Sequence, residues 1–202
     1  MKLYYAPGAC SLSPHIVARE AGVDVQLVKV DLKAKKTETG EDYLKINPKG
    51  YVPALQLDDG SVLTEGPAIV QYLADRAPGK HLVPAAGTAE RYRQLEWLNY
   101  ISTELHKQYS PLFSEATPEA TRQQEFDYLT KRYAFVEKSL DGNPYLTGDT
   151  FTAADAYLFT ITNWSRVVKY DLSKFPKLLA FQKRVAGRPA VQQALKAEGL
   201  TK

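Results

Sequence analysis

The sequence predicts a mixed α/β module followed by an all-helical domain. Short β-prone runs alternate with helical patterns only within residues 1–79. A stretch rich in Pro, Gly and Ala interrupts this alternation over residues 80–87. From residue 88 onward, apolar side chains recur at helical spacing and no convincing strand pattern is present. We therefore expect domains at 1–79 and 88–202 that are joined by a linker at 80–87.

The composition is that of an ordinary globular chain and excludes several classes of protein. The 202 residues carry a net charge of +3, and the positive charge is not concentrated in one block, so no nucleic-acid partner is expected. The single cysteine, Cys10, and three histidines without ligand spacing predict no metal site. No run reaches the ~18 apolar residues of a membrane span, and no secretory signal is visible. A lone cysteine also fits a reducing, cytoplasmic location.

The opening stretch is typical of a strand, a turn and a helix. Leu3 to Tyr5 form a β-prone run, and Pro7 and Gly8 interrupt it. Pro14 suits the first turn of a helix, where its missing N–H has no cost. Cys10 is therefore expected in a turn at a helix start, where backbone N–H groups and the positive helix end stabilise anions.

The rest of the first domain adds strands and helices in a defined order. The pattern predicts strands at 25–30, 54–57 and 61–63, a short helix near 41–45, and a helix that starts at 64–67. Residues 58–60, Asp-Asp-Gly, form the hairpin turn between the last two strands. A β-α-β unit followed by a β-β-α unit gives a mixed four-stranded sheet with helices packed on it.

The second half contains helix start signals and no obvious repeat. A long helical pattern runs from Ala89 to about Tyr109, and another runs from Glu119 to about Leu140. Thr152 to Asp155 form a capping box before an apolar helix. Two further helices open at residues 176 and 189, each at a proline.

This organisation resembles that of cytosolic glutathione transferases over essentially the whole chain. Val52-Pro53 resembles the Val-Pro pair whose cis proline precedes the third strand of thioredoxin-like folds, and residues 146–155 resemble the family's helix-capping segment. Residues 65–69, Glu-Gly-Pro-Ala-Ile, resemble the Glu-Ser-x-Ala-Ile segment that holds the γ-glutamyl end of glutathione. The resemblance implies a thioredoxin-like βαβαββα domain, a homodimer, and glutathione as co-substrate without a prosthetic group.

Cys10, Asn99 and His106 together are similar to the bacterial beta class in particular. The seven-residue spacing of Asn99 and His106 on one predicted helix places them on the same face. The resemblance implies that Cys10 and His106 are catalytic. It also implies a glutathione-binding set made of Ala9, Cys10, Lys35, Tyr51, Val52, Pro53, Glu65, Gly66, Asn99 and Glu104.

Each motif has a physical reason for binding such a ligand. The N–H and C=O of Val52 can pair with an extended peptide as a neighbouring strand does. Glu65 suits the ligand's ammonium, and the backbone N–H groups at the following helix start suit its carboxylate. Gly66 departs from the family's usual serine, so it offers only its backbone N–H. Glu104 is implied to reach the ligand across a dimer interface, and Lys35 to pair with the glycyl carboxylate.

Several alternatives remain open from the sequence. Tyr5 or Ser11 can replace Cys10 as the group beside the sulfur, because other classes use tyrosine or serine near this position. Tyr109, Phe113 and Trp164 are candidates for an apolar pocket that binds the electrophile. The expected activity is conjugation of glutathione to electrophilic compounds, with halogenated or aromatic compounds as candidate substrates. Cys10 also permits monothiol disulfide exchange or reductive dehalogenation, and a non-catalytic regulatory protein on this fold is the third reading.

Overall fold

The computed structural model describes residues 1–201 and divides them into two compact units. The first unit contains Met1–Val83 together with residues 187–201, and the second is Pro84–Ala186. The C-terminal segment thus returns to the first unit after the chain has completed the second. No helix within residues 1–201 is both long and apolar enough to cross a membrane.

The first unit is built on a mixed sheet, and the predicted order of its elements is confirmed. The strands are β1 (Lys2–Tyr5), β2 (Gln26–Asp31), β3 (Lys36–Thr37), β4 (Ala54–Gln56) and β5 (Val62–Thr64), in the order β3-β2-β1-β4-β5. Strands β1 and β2 are parallel, and the other pairs are antiparallel. The sequence pattern missed β3, because its two residues are too short to show an alternation.

The helices of this unit are α1 (Leu12–Ala21), α2 (Tyr43–Ile46), α3 (Gly66–Asp75) and, from the end of the chain, α8 (Pro189–Ala197). Helix α1 packs against both α3 and α8, and it is buried along most of its length. One face of the sheet carries an apolar cluster around the aromatic pair Tyr4 and Tyr43, whose ring centroids are 5.6 Å apart. Val52 belongs to this cluster, so the segment before β4 is anchored in the core.

The second unit is helical, as predicted. It contains α4 (Ala89–Tyr100), α5 (Glu119–Ser139), α6 (Ala153–Val167) and α7 (Pro176–Ala186). Helix α6 is buried almost throughout, which makes it the central helix of this unit. The capping box predicted before it is confirmed, because the Asp155 carboxylate accepts hydrogen bonds from the Thr152 backbone N–H and hydroxyl, both at 2.8 Å.

The long helical pattern predicted from Ala89 to about Tyr109 is helical over its whole length, but it is not one regular α-helix. Helix α4 ends at Tyr100, a π-helical turn follows over Ile101–Leu105, and a 3₁₀ turn spans His106–Tyr109. The Thr103 hydroxyl donates to the Asn99 carbonyl at 3.1 Å. A π-helical turn is wider than an α-helical one, so the seven-residue spacing of Asn99 and His106 spans a change of helical geometry.

Candidate functional site

Cys10 lies in the turn between β1 and α1, one residue before the Ser11 N-cap of α1. Its side chain is half-buried, and its thiol donates to the Val52 carbonyl oxygen at 3.1 Å. Hydrogen bonds shape the turn locally: the Ala9 N–H donates to the Ala6 carbonyl at 3.0 Å, and the Ser11 hydroxyl donates to the same carbonyl at 3.2 Å. The sulfur is therefore fixed beside the helix start, as the sequence predicted.

The C-terminal segment contacts the turn that carries Cys10 through the side chain of Glu198. Glu198, which follows α8, accepts hydrogen bonds from the Gly8 N–H and lies against His15 Nδ1, both at 2.9 Å. The His15 and Glu198 side chains are both fully buried. Gly8 has a φ of 71°, a left-handed conformation that favours glycine and lets the turn close. His15 is thus a structural histidine, and the chain's end orders the loop that carries Cys10.

The segment from 47 to 53 presents the backbone of Val52 next to Cys10. The buried side chains of Tyr43 and Asn47 donate to the Tyr51 carbonyl at 2.7 and 2.8 Å. The Val52–Pro53 bond is cis, as the resemblance implied. Tyr51 itself is 68% exposed, so its contribution to the core comes through its backbone and not its ring.

Lys35 lies at the edge of the same segment. Its Nζ donates to the Gly50 carbonyl at 2.9 Å and lies 6.0 Å from the centroid of the Tyr51 ring. Gly50 has a φ of 68°, and a Cβ there would be 3.2 Å from Leu44 Cδ2, so this position requires glycine. The ammonium of Lys35 is therefore held over the loop by the Gly50 carbonyl.

Glu65 has the strained backbone that often marks ligand sites. Its φ of 69° and ψ of 115° are unusual for a residue with a side chain. Helix α3 starts at Gly66. Pro67 has no N–H, and the Ala68 and Ile69 N–H groups both donate to the Glu65 carbonyl at 3.0 Å, so the Gly66 N–H is the one that this helix start can offer. A Cβ on Gly66 would lie 4.0 Å from Pro53 Cγ, so the helix start borders the cis proline. Cys10, Val52, Pro53 and Gly66 thus form one connected group, in which Cys10 contacts Val52 and Gly66 borders Pro53.

The Glu65 carboxylate already holds a cation. Lys49 Nζ lies 2.6 Å from Glu65 Oε1 and donates to the Thr64 hydroxyl at 2.9 Å. Both side chains are more than half exposed. An exposed ion pair of this kind contributes at most about 1 kcal/mol, so a better-placed ammonium can displace Lys49. The sequence analysis did not identify Lys49, and no local pattern distinguishes it from other surface lysines.

In the second unit, His106 is held by two aromatic side chains of α6. Its Nδ1 is 2.6 Å from the Tyr157 hydroxyl, and its ring meets the Trp164 ring edge-to-face at 4.9 Å. Tyr157 and Trp164 are 2% and 7% exposed, whereas His106 is half-buried. The Nδ1 atom of the imidazole is therefore hydrogen-bonded within the second unit, and the contact with the Trp164 ring holds the imidazole in a fixed plane.

The other predicted residues of the second unit have different surroundings. Asn99 is exposed near the end of α4. The Glu104 carboxylate is bound within its own unit, since Arg132 Nε lies 2.8 Å from it and the Tyr128 hydroxyl donates to it at 2.6 Å. A ligand that uses Glu104 would have to compete with these two partners.

The three aromatic candidates for an electrophile pocket lie in contact but differ in exposure. Trp164 meets Tyr109 and Phe113 edge-to-face, with centroids 5.7 and 5.2 Å apart. Tyr109 is fully buried, and its hydroxyl is 2.9 Å from that of Tyr133. Burial raises the pKa of Tyr109 well above its usual value, so the phenol stays neutral. Phe113 is the exposed member, and Tyr109 supports the other two rings from the interior.

The structure also describes the two alternatives to Cys10. Tyr5 is 9% exposed and its ring centroid is 6.5 Å from that of His15. Burial, followed by the charge of Glu198, raises the pKa of Tyr5. Ser11 is fully buried, and its hydroxyl is used in the turn. Of the three candidates, Cys10 has the most accessible side chain.

Within residues 1–201, no three His, Cys, Asp or Glu side chains are grouped so that they can hold a metal ion. The functional groups described in the first unit are a thiol, a carboxylate and backbone N–H groups, and the second unit carries the His106 imidazole.

The chain belongs to the glutathione S-transferase family. The family model for the glutathione S-transferase N-terminal domain matches residues 1–75, and the model for the C-terminal domain matches residues 97–189. Members of this family are enzymes that use glutathione as a co-substrate and need no prosthetic group. The family inferred from the local motifs of the sequence is thereby confirmed.

Individual relatives match this chain over nearly its full length. The chain is 51% identical to glutathione S-transferase GstA of Escherichia coli O157:H7, over 99% of this chain and 100% of the relative. Among solved structures, a ternary complex of BphK, a bacterial GST, has 58% identity and a TM-score of 0.98, and 99% of this chain and 100% of that chain are covered. A beta class enzyme from Sphingomonas chungbukensis has 44% identity and a TM-score of 0.96 over 100% of both chains.

Proposed function

We propose that this protein conjugates glutathione to electrophilic small molecules, including halogenated or aromatic compounds, in the cytoplasm. The observation that carries the proposal is the connected group of Cys10, Val52, Pro53 and Gly66 in the first unit, with Glu65 beside it. It offers a backbone for strand-like pairing, an acid for an ammonium and the Gly66 N–H for a carboxylate. These are the three kinds of recognition that the γ-glutamyl-cysteinyl part of glutathione requires.

The chemistry depends on the glutathione thiolate, because a thiol is a poor nucleophile. Lowering a thiol pKa from about 8.5 to about 6.5 requires roughly 2.7 kcal/mol of stabilisation. A helix N-terminus contributes typically ~0.3–1 and at best ~2 kcal/mol. A hydrogen-bond donor must supply the remainder, and Cys10 and His106 are the groups proposed for this role. The thiolate then attacks the electrophile, the leaving group departs with its electron pair, and the thioether is released.

A Glu65→Gln variant tests glutathione recognition. Loss of the negative charge removes the partner of the ligand's ammonium, so we expect KM for glutathione to rise about tenfold while kcat stays nearly constant. Steady-state conjugation of a chlorodinitrobenzene at varied glutathione measures both constants. Asp141→Asn is the matched control, because Asp141 also forms an exposed ion pair, with Lys177 at 2.8 Å. An unchanged KM in Glu65→Gln would contradict this binding mode, and wild-type protein that binds no glutathione would favour a regulatory role.

Removing Lys49 should strengthen glutathione binding. In the ligand-free protein the Lys49 ammonium occupies one oxygen of Glu65, so the ligand's ammonium must compete with it. We expect Lys49→Met to lower Kd for glutathione about two- to fivefold, since exposed ion pairs contribute up to ~1 kcal/mol. Isothermal titration calorimetry gives this value, with Lys177→Met as control. Weaker binding would show instead that Lys49 contacts a ligand carboxylate.

Disulfide exchange at Cys10 is the second candidate activity, and the position of this half-buried thiol at the start of α1 favours it. The Cys10 thiolate would attack the glutathionyl sulfur of a mixed disulfide between glutathione and another thiol, form a Cys10–glutathione disulfide, and expel the other thiol as a thiolate. A second glutathione then releases the first as glutathione disulfide and regenerates Cys10. No second cysteine exists in the chain, so the exchange is necessarily monothiol.

We also propose that the protein forms a homodimer. A groove of about 460 Å³ in the second unit is walled by Trp97, Tyr100 and Phe135, with ring centroids 5.2–5.6 Å apart. Phe135 is 52% exposed, and such an aromatic surface favours a protein interface. Arg93 and Arg132 border the groove, a composition enriched in interfaces.

A further inference from the structure

His106 and Tyr157 form a hydrogen bond within the second unit. The Nδ1 to hydroxyl distance is 2.6 Å. The tautomer of the imidazole decides whether Nδ1 donates or accepts in this contact. Tyr157 as the donor and Nδ1 of His106 as the acceptor is one of the two directions that the contact allows.

The ordinary acid–base chemistry of the two groups agrees with this direction. A phenol has a pKa of about 10 and remains protonated at neutral pH, so it has a hydrogen to donate. A neutral imidazole has one acceptor nitrogen and one N–H, and a hydrogen bond to the first determines which nitrogen carries the hydrogen. With Nδ1 as acceptor, the hydrogen of neutral His106 is on Nε2.

We propose that Tyr157 is a positioning residue that fixes His106 as the Nε2–H tautomer and thereby makes it a hydrogen-bond donor to a sulfur anion. The role in donation rests on the proposed function, whereas the tautomer is a property of the second unit alone. Tyr157 itself touches no reacting atom in this account and acts through the imidazole.

The surroundings of the pair are suited to such a role. Tyr157 is on the buried central helix α6 and is 2% exposed, so its hydroxyl has little freedom to move. The Tyr157 and Trp164 rings both meet the imidazole edge-to-face, at 5.8 and 4.9 Å. His106 follows directly on the π-helical turn, a feature that occurs frequently at functional sites. The plane and the tautomer of the imidazole are thus determined by side chains of one helix.

The test compares Tyr157→Phe with Tyr133→Phe in the full-length protein. Tyr133 is the matched control, since it is also a fully buried tyrosine of the second unit, and its hydroxyl bonds to Tyr109. Long-range ¹H–¹⁵N correlation spectra of the ligand-free protein report the tautomer of each histidine. The chain has three histidines, so the signals of His15 and His81 serve as internal references, and His106→Asn assigns the third.

We expect wild type and Tyr133→Phe to show His106 as the Nε2–H tautomer and Tyr157→Phe to show a substantial Nδ1–H population. Loss of one such hydrogen bond should lower kcat for conjugation about 2- to 10-fold in Tyr157→Phe, with little change in KM for glutathione. Circular dichroism and thermal melts of both variants establish that they are folded at the measuring temperature.

Two spectroscopic results would overturn the proposal: an Nδ1–H tautomer in wild type, or an unchanged Nε2–H tautomer in Tyr157→Phe. A tautomer shift without any change in kcat would also overturn it, because donation from Nε2 would then not contribute to the reaction. Failure of the proposed function is distinguishable, since it would appear as absent conjugation in wild type while the spectra still show the Nε2–H tautomer and its dependence on Tyr157.

Discussion

Replacement of Cys10 by alanine is expected to lower kcat/KM for glutathione conjugation about 10- to 100-fold. The thiol is the accessible donor at the start of α1, and in the ligand-free protein it donates to Val52 at 3.1 Å. A hydrogen bond to a charged group contributes about 1.5–3 kcal/mol, which corresponds to this range of rates. Conjugation of a chlorodinitrobenzene, followed spectrophotometrically, measures the loss.

Cys10→Ser separates donation from covalent chemistry. Serine retains a hydroxyl donor but cannot form a mixed disulfide, so its conjugation rate should lie between those of wild type and Cys10→Ala. Mass spectrometry after incubation with glutathione disulfide should show one glutathionyl adduct in wild type and none in either variant. Full conjugation activity in Cys10→Ala would show that Cys10 is not essential, and Tyr5 or another donor would then have to take its place.

Replacement of Asp155 by asparagine is expected to destabilise the protein by about 2–4 kcal/mol near pH 7, where the side chain is ionised. The fully buried carboxylate accepts hydrogen bonds from the Leu146 and Thr152 backbone N–H groups and from the Thr152 hydroxyl, at 2.8–2.9 Å. Asparagine retains one acceptor oxygen. Its amide N–H₂ group replaces the other carboxylate oxygen and would face the N–H or O–H groups that donate to that oxygen in the wild type. For a chain of this length, the melting temperature should fall by about 5–15 °C.

The difference in stability between wild type and Asp155→Asn is expected to fall as the pH rises. Burial raises the pKa of Asp155 to about 6, although the accepted hydrogen bonds oppose the shift. The folded protein thus binds this proton more tightly than the unfolded chain, and the stability from Asp155 is greatest below about pH 4 and is lost as the pH rises from about 4 to 6. Asparagine does not titrate, so the stability advantage of wild type over Asp155→Asn should shrink over that interval and remain constant above it.

Urea denaturation at several pH values between 4 and 7 measures this advantage. Asp149→Asn serves as the control because Asp149 is an exposed acid in the same connection between α5 and α6. It should change the free energy of unfolding by no more than about 0.5 kcal/mol. An advantage that grows with pH would show that the hydrogen bonds to the carboxylate outweigh its burial and that its pKa is lowered in the folded state.

Local sequence patterns predicted the features that depend on neighbouring residues. The turn before α1, the Asp-Gly hairpin and the capping box all consist of residues a few positions apart, and each has a characteristic residue type. The order of elements and the position of Cys10 before a helix were predicted in this way. The π-helical turn at Ile101–Leu105 was missed because its residues have no sequence pattern that distinguishes them from an α-helix; the Thr103 hydroxyl bonds to the Asn99 carbonyl as other Thr hydroxyls do within the regular helices α5 and α6.

The sequence by itself therefore determined the succession of strands and helices and the chemical types that a glutathione site requires. Only the tertiary structure identified the partners that orient them: Lys49 for Glu65, Glu198 for the Cys10 turn and Tyr157 for His106. These pairs are separated by 16, 190 and 51 positions along the chain, counting from Glu198 to Gly8 for the turn. A hydrogen bond requires its two atoms to lie within about 3.2 Å, and at such separations only packing of the folded chain decides which side chains meet.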